Sequence, residues 1–214
     1  MYDLHTHSIF SDGELIPSEL VRRMAVAGYT TVAITDHADT SNISSVLSAL
    51  PLARDSAAQY GVRLLCGVEI THVPPALIGN IARQAKAKGA DIVVVHGETP
   101  VEPVAPGTNR AACSCKDVDI LAHPGLITPA DAKLAAKNGV ALEISSRGGH
   151  NRTNGHVVLV AKGAGCRMVV DSDAHAPHDI MDGRARKLVA RGAGLTKSEC
   201  IEVLSLNIDE FLGI

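Results

Sequence analysis

Aromatic side chains are scarce in this 214-residue chain, which has no Trp, two Phe and three Tyr. A core built on ring packing is therefore excluded. The 46% hydrophobic content has to come mainly from Ala, Val, Leu and Ile, a composition suited to helices packed on a parallel sheet that is buried on both faces. So few rings also leave little for stacking nucleic-acid bases. Basic residues do not cluster: 20 Lys and Arg against 23 Asp and Glu leave a formal charge of −3. With no basic tail or dense basic run, nucleic acid is not expected as a partner except as a substrate. Apolar runs all fall short of the roughly 18 residues that a membrane span requires. Charged Asp3 and His5 interrupt the N-terminus at once, so no signal peptide and no membrane partner are expected and the expected location is cytoplasmic. The five cysteines, Cys66, Cys113, Cys115, Cys166 and Cys200, are odd in number and lack the spacing of a disulfide framework; they read as reduced thiols.

What the chain does contain is a regular alternation. Seven short aliphatic segments read as strands: 2–7, 30–35, 62–70, 91–95, 117–122, 140–144 and 167–170. Several are continuous apolar runs, such as Ile92-Val93-Val94-Val95, the mark of strands covered on both faces. Helical patterns lie between them. Pro17 to Ala27 opens with Pro and stops before Gly28, Ala76 to Lys88 stops at Gly89, and a helix from Thr128-Pro129 stops at Gly139, with Thr128 as N-cap. Asn154 to Lys162 reads as a helix. Thr196 to Leu212 reads as one C-terminal helix with a Thr196/Glu199 capping box. Gly97 to Ser114, with three Pro, reads as a long irregular loop. The strand–helix order gives parallel strands with right-handed crossovers, either closed into a barrel or left as an open sheet, in a single domain spanning 1–214.

The chemistry gathers where strands end. The first strand runs into His5-Thr6-His7, followed by Asp12; the second into Asp36-His37; the third into Glu69; the fourth into His96-Gly97-Glu98; the fifth into His123-Pro124-Gly125; the sixth into Glu143; the seventh into Asp171-Ser172-Asp173-Ala174-His175. One strand-end histidine or carboxylate is ordinarily a cap or a surface group. Six histidines with Asp12, Glu69 and Asp173 at the same edge are not explained that way, because the C-terminal ends of parallel barrel strands meet at one mouth. In His5-x-His7 and Asp173-x-His175, alternate residues face the same side and can share an ion. Imidazoles mixed with carboxylates suit Zn, Mn or Fe better than Mg or Ca. More donors than one ion can use point to two or three divalent ions, an arrangement that favours phosphoester hydrolysis.

Taken together, His5-Thr6-His7, Ser11-Asp12-Gly13, Thr35-Asp36-His37, Gly67-Val68-Glu69, Val95-His96-Gly97-Glu98, Ala122-His123-Pro124-Gly125 and Ser172-Asp173-Ala174-His175 resemble the polymerase and histidinol phosphatase (PHP) domain along essentially the whole chain. The resemblance implies a distorted seven-stranded (β/α)7 TIM-like barrel with a trinuclear centre. In that centre His5, His7, Glu69 and Asp173 would hold one ion. Glu69 would bridge to a second, also held by His96 and His123, and Asp12, His37 and His175 would hold the third. It further implies attack on phosphorus by a metal-bridging hydroxide, and a small phosphorylated metabolite as substrate. Histidinol phosphate is the leading single candidate, because the chain lacks the large inserted domain of exonuclease-type members.

Arg147 and Arg152, in the glycine-containing segment after the sixth strand, are the candidates for gripping the substrate phosphate, assisted by the helix N-terminus near Asn154. Arg110 and Arg184 are weaker candidates. His72, His150, His156 and His178 read as structural, loop or surface residues. Three other readings compete. One is a phosphodiesterase or nuclease acting on nucleotides or short oligonucleotides. Another is a non-catalytic RNA-binding scaffold resembling the barrel-shaped protein subunits of ribonuclease P. The last is an amidohydrolase, disfavoured because Glu69 stands where those sites commonly place a carboxylated lysine. Nothing in the sequence specifies oligomeric state.

Overall fold

The computed structural model describes residues 1–213. The strands are β1 (Tyr2–Asp3), β2 (Thr31–Ile34), β3 (His37–Ala38), β4 (Arg63–Ile70), β5 (Ile92–His96), β6 (Ile120–Ala122), β7 (Ala141–Ser145) and β8 (Met168–Asp171). Neighbours follow the order β1-β2-β4-β5-β6-β7-β8, every pairing parallel, and β3 pairs with β4 beyond the end of β2. β2 and β3 are thus one strand interrupted at Thr35-Asp36. The ring closes at its C-terminal rim, where Thr6 bridges Ala174 and the His7 amide donates to the Ala174 carbonyl at 2.9 Å. The result is a seven-stranded α/β TIM-like barrel.

The helices are α1 (Pro17–Val26), α2 (Ile43–Ala49), α3 (Arg54–Gln59), α4 (Pro75–Ala87), α5 (Thr108–Cys113), α6 (Pro129–Asn138), α7 (Asn154–Ala164), α8 (Gly183–Gly192), α9 (Lys197–Leu204) and α10 (Ile208–Leu212). Strand alternation divides the core. On β4, Leu64, Cys66, Val68 and Ile70 face the helices, whereas Leu65 faces the interior with Ile92, Val94, Ile120, Ala122 and Val169. Ile208 and Phe211 of α10 pack on that interior cluster and cover its N-terminal end. Among the described residues no helix is long and apolar enough to cross a membrane.

Three expectations from sequence need correction. The first strand, read as 2–7, is regular only over Tyr2–Asp3. Asp171 Oδ1 accepts from the Leu4 amide at 2.7 Å, and Asp3 accepts from the amides of His5 and Ser172. Side-chain carboxylates thus take donors that a β1–β8 ladder would have used. The C-terminal helix is two, because Asn207 leaves the helix and its side chain caps α10 by accepting from Asp209 and Glu210. The segment from Gly97 to Ser114 is not wholly irregular: it contains α5, anchored where Glu98 Oε1 accepts from the amides of Gly107 and Asn109.

Candidate metal centre

All nine expected ligands reach one bowl at the C-terminal rim. His5 and His7 follow β1, Asp12 lies in the next turn, His37 is on β3, Glu69 on β4, His96 ends β5, His123 follows β6, and Asp173 and His175 follow β8. Their donor atoms fall into four overlapping groups, each within 4.8 Å: His7, Asp12, His37 and His175; His5, His123 and Asp173; His5, His7 and Glu69; Glu69, His96 and His123. Around an ion with bonds of about 2.0–2.1 Å, adjacent ligand atoms stand roughly 3.0–3.4 Å apart. Comparable spacings recur here. His5 Nε2 is 3.0 Å from His7 Nε2 and 3.5 Å from Glu69 Oε1. His7 Nε2 is 3.4 Å from Asp173 Oδ1, and His123 Nε2 is 3.5 Å from Glu69 Oε1. Asp12 Oδ1 is 3.4 Å from His37 Nε2 and 3.1 Å from His175 Nε2.

The donor set fits a cluster of cations on a second ground. Glu69 is fully buried, and neither of its oxygens accepts an aligned hydrogen bond. His37 Nδ1 lies 2.7 Å from Glu69 Oε2 but is also 2.7 Å from Thr71 Oγ1, the better-aligned partner. An unpaired carboxylate in such surroundings costs several kcal/mol unless positive charge is nearby. Burial raises its pKa, yet the charges of His5 and His37 overcome this and hold it well below the usual carboxylate range. Burial and the neighbouring imidazoles His37 and His5 push His7 well below the ordinary histidine value, so it presents a lone pair. Burial would lower His37 too, but Glu69 and Asp12 raise it to about 10.

Glu143 is a contributor that sequence reasoning placed at a strand end without a role. Its Oε1 lies 2.6 Å from His5 Nδ1 and its Oε2 accepts from the His123 amide at 2.9 Å. With Nδ1 held by Glu143, the proton that His5 would give up on binding an ion is the one on Nε2, which faces Glu69 and His7, the usual carboxylate–histidine arrangement behind a ligand. Asp36 accepts from the Ser8 amide and from the hydroxyls of Ser8 and Ser11, pinning the turn that carries Asp12. Backbone strain concentrates here as well. Among the described residues the only non-glycine positions with positive φ are His72 (52°), His123 (28°) and Asp173 (52°), all lining the bowl. Gly97 is required because a Cβ there would meet the Ala122 carbonyl oxygen at 2.3 Å.

The bowl opens into a cavity of about 290 Å³ lined by Asp12, His37, His96, His123, Asp173 and His175 from the expected set, together with Thr71, His72, Glu102, Arg147 and His150. His5, His7 and Glu69 lie beneath it. Arg147 reaches the cavity and donates to the Asp173 carbonyl at 3.3 Å. Arg152 does not: it lines a separate depression with Asn154, Gly155 and Val189, because the 3-10 turn at His150–Thr153 carries it away. The start of α7 goes with it, so the expected helix N-terminus serves that depression. Arg110 pairs with Asp131 on the surface. His150, read as a loop residue, is buried in the cavity wall. His156 Nε2 donates to the Ile127 carbonyl at 2.8 Å, and His178 is exposed. Glu102, within the segment read as irregular, carried no sequence signal and faces three of the cavity's histidines.

Residues 1–149 match the model of a family described as RNase P subunit p30. An uncharacterized protein of Methanocaldococcus jannaschii is 48% identical over 200 residues, 92% of each chain. Ribonuclease P protein component 3 of Methanosarcina barkeri is 26% identical over 220 residues, 96% of this chain and 85% of that one. Among solved structures, histidinol phosphate phosphatase of Lactococcus lactis, complexed with zinc, L-histidinol and phosphate, superposes with a TM-score of 0.64 at 15% identity, covering 91% of this chain and 94% of that one.

Proposed function

Since the chain belongs to the RNase P subunit p30 family and has the PHP-type barrel, we propose that it is a metal-dependent phosphoesterase whose 1–214 span works as one domain. The observation that carries this reading is the buried donor set, above all the wholly buried Glu69, whose two oxygens face the ring nitrogens of His5, His7, His37 and His123. Two or three ions of Zn, Mn or Fe are the groups this set suits. His5, His7, Glu69 and Asp173 would hold the deepest, Glu69, His96 and His123 a second, and Asp12, His37 and His175 a third. Bound there, divalent ions supply charge stabilisation at phosphoryl oxygens and a hydrolytic nucleophile near neutral pH.

The chain's own residues do the rest. Glu143 fixes the tautomer and orientation of His5. Arg147 stands at the cavity wall with its guanidinium beside Asp173 and Asp179, where it can swing onto an arriving phosphate. The cavity is small and its lining contains no Phe, Tyr or Trp. That favours a compact phosphomonoester over a stacked oligonucleotide, and histidinol phosphate belongs first in a substrate panel.

The test is a phosphoester screen of purified protein supplemented with Mn, Zn or Fe, with His7→Ala alongside, comparing an aryl phosphomonoester with its diester. Turnover of the monoester that disappears in His7→Ala is expected. A marked diester preference would transfer the assignment to nuclease-type chemistry, and no turnover above the variant would refute hydrolysis. A second reading, an RNA-binding scaffold, is favoured by the family match and the ribonuclease P relative. Tight, salt-sensitive RNA binding by the ion-free protein would establish it.

A further inference from the structure

Above the buried donor set, at the lip of the cavity, a second group of metal-ligating side chains converges. Glu102 Oε2 lies 3.0 Å from His96 Nε2 and 3.4 Å from His72 Nε2, and Glu102 Oε1 lies 3.5 Å from His150 Nε2. The ligand atoms of His72, His96 and Glu102 lie within 4.8 Å of one another. The two shorter separations are those of adjacent ligands around one ion with bonds of about 2.0–2.1 Å. Two further observations show that the arrangement is held in place. His72 adopts φ +52°, a conformation that a non-glycine residue keeps only where its surroundings enforce it. His150, on the other side of Glu102, has its Nδ1 tied to Thr99 Oγ1 at 2.7 Å, which aims its Nε2 at the carboxylate.

His96 belongs both to this group and to the buried group with Glu69 and His123. A neutral imidazole ligates one ion at a time, so the two positions exclude one another. Exposure falls along the series: the side chains of His72 and Glu102 are 46% and 38% exposed, that of His96 is 4% exposed, and that of Glu69 is fully buried. We propose that His72, Glu102 and His96 form an outer cation position from which ions pass to the buried position of Glu69, His96 and His123. The exposed carboxylate and imidazole capture a hydrated divalent ion and exchange its waters for protein ligands. His96 then remains bound while Glu69 and His123 replace Glu102 and His72. The inference rests on the metal-dependent reading above and adds a route to it.

The test is the rate at which ion-free protein takes up Co²⁺, followed by the visible absorption of the bound ion, together with the final stoichiometry by elemental analysis. Glu102→Gln should slow uptake by about tenfold or more, the scale on which a localised charge at a cleft alters capture of a counter-ion, and His72→Gln, which removes a ligand but no charge, should slow it by a smaller factor. The final stoichiometry should stay at the wild-type value, and Glu102→Asp should recover part of the rate. His7→Ala should show the opposite pattern, a lower stoichiometry. Uptake by Glu102→Gln and His72→Gln at the wild-type rate would overturn the outer position while leaving the buried centre standing. Failure of the wild-type protein to bind Co²⁺ at all would overturn the metal-dependent reading itself, and the outer position with it.

Discussion

At the floor of the barrel Leu65, Ile92, Val94, Ile120 and Val169 fill the interior; a few residues further along the same strands stand Glu69, His96, His123 and Asp173. Both regions are almost wholly buried, yet they are held by different physics. The floor gains free energy from apolar area removed from water, at roughly 25 cal/mol per Å². The rim loses free energy by desolvating carboxylates and imidazoles, and recovers it only through mutual pairing or bound cations. Burial that stabilises in one region is thus a cost in the other, carried for the sake of chemistry. The same strands serve both because the floor aligns them and the rim inherits that alignment.

Substitutions at the two ends should therefore part company. The largest effect is expected from His7→Ala, which removes a donor shared by two of the ligand groups. Phosphoester turnover should fall by about a hundredfold or more and bound metal should drop, while thermal unfolding of the ion-free protein is unchanged or shifted upward. A loss of ion-free stability as large as that of a floor variant would erase the distinction between the two regions. Next comes Leu65→Ala at the floor. Denaturant unfolding should report a loss of about 2–5 kcal/mol, with the metal content of the folded fraction untouched.

Glu143→Gln probes the boundary between the two regions. It keeps the volume and removes the charge behind His5, so titration with Zn²⁺ or Mn²⁺ should show affinity weaker by about 10–100-fold; equal affinity would mean that the 2.6 Å contact is structural only. A dependence on pH probes the same boundary. His37 is raised to about 10 by Glu69 and Asp12 despite its burial, and His5 is raised well above its usual value by Glu143, Glu69 and Asp173 although burial opposes it. Both therefore hold protons through the neutral range in the ion-free protein and must release them to bind a cation. Affinity should rise with pH, by about tenfold per unit for each proton released. The ion-free fold should move the other way. The stability contributed by protonated His37 is complete below the unfolded histidine value and is lost as pH rises through about 10. Calorimetric titrations in buffers of different ionisation enthalpy count the protons; an affinity flat between pH 6 and 8 would contradict the assignment.

How far the site was legible depends on where each residue sits. Glu69 and His96 stand at the ends of continuous apolar runs, so their place at the rim could be inferred, whereas runs apolar on both faces do not say which side of the sheet each takes. The facing of His123 could not be inferred either, since it depends on a positive φ that no residue type announces. Arg147 and Arg152 were both candidates from sequence, Arg147 the stronger, and the 3-10 turn at His150–Thr153 separates them, leaving Arg147 at the cavity and carrying Arg152 to a neighbouring depression. Glu102 and His150 come from loops, where no periodicity says which way a side chain points, and both ended in the cavity wall. The irregular continuation of the first strand beyond Asp3 was hidden for a related reason: Asp3 and Asp171 meet the partner segments only when β1 and β8 lie side by side.

By itself the sequence determined parallel strands alternating with helices, through seven aliphatic runs separated by capped helices, and the kind of chemistry on offer, through the imidazoles and carboxylates at the strand ends. Those properties are local or periodic, and a linear pattern can carry them. Only the tertiary structure decided that the sheet closes into a barrel, which donors come within ligand spacing of one another, which arginine faces the cavity and which loop carboxylate stands at its lip, because each of these depends on distances between segments that no local preference encodes.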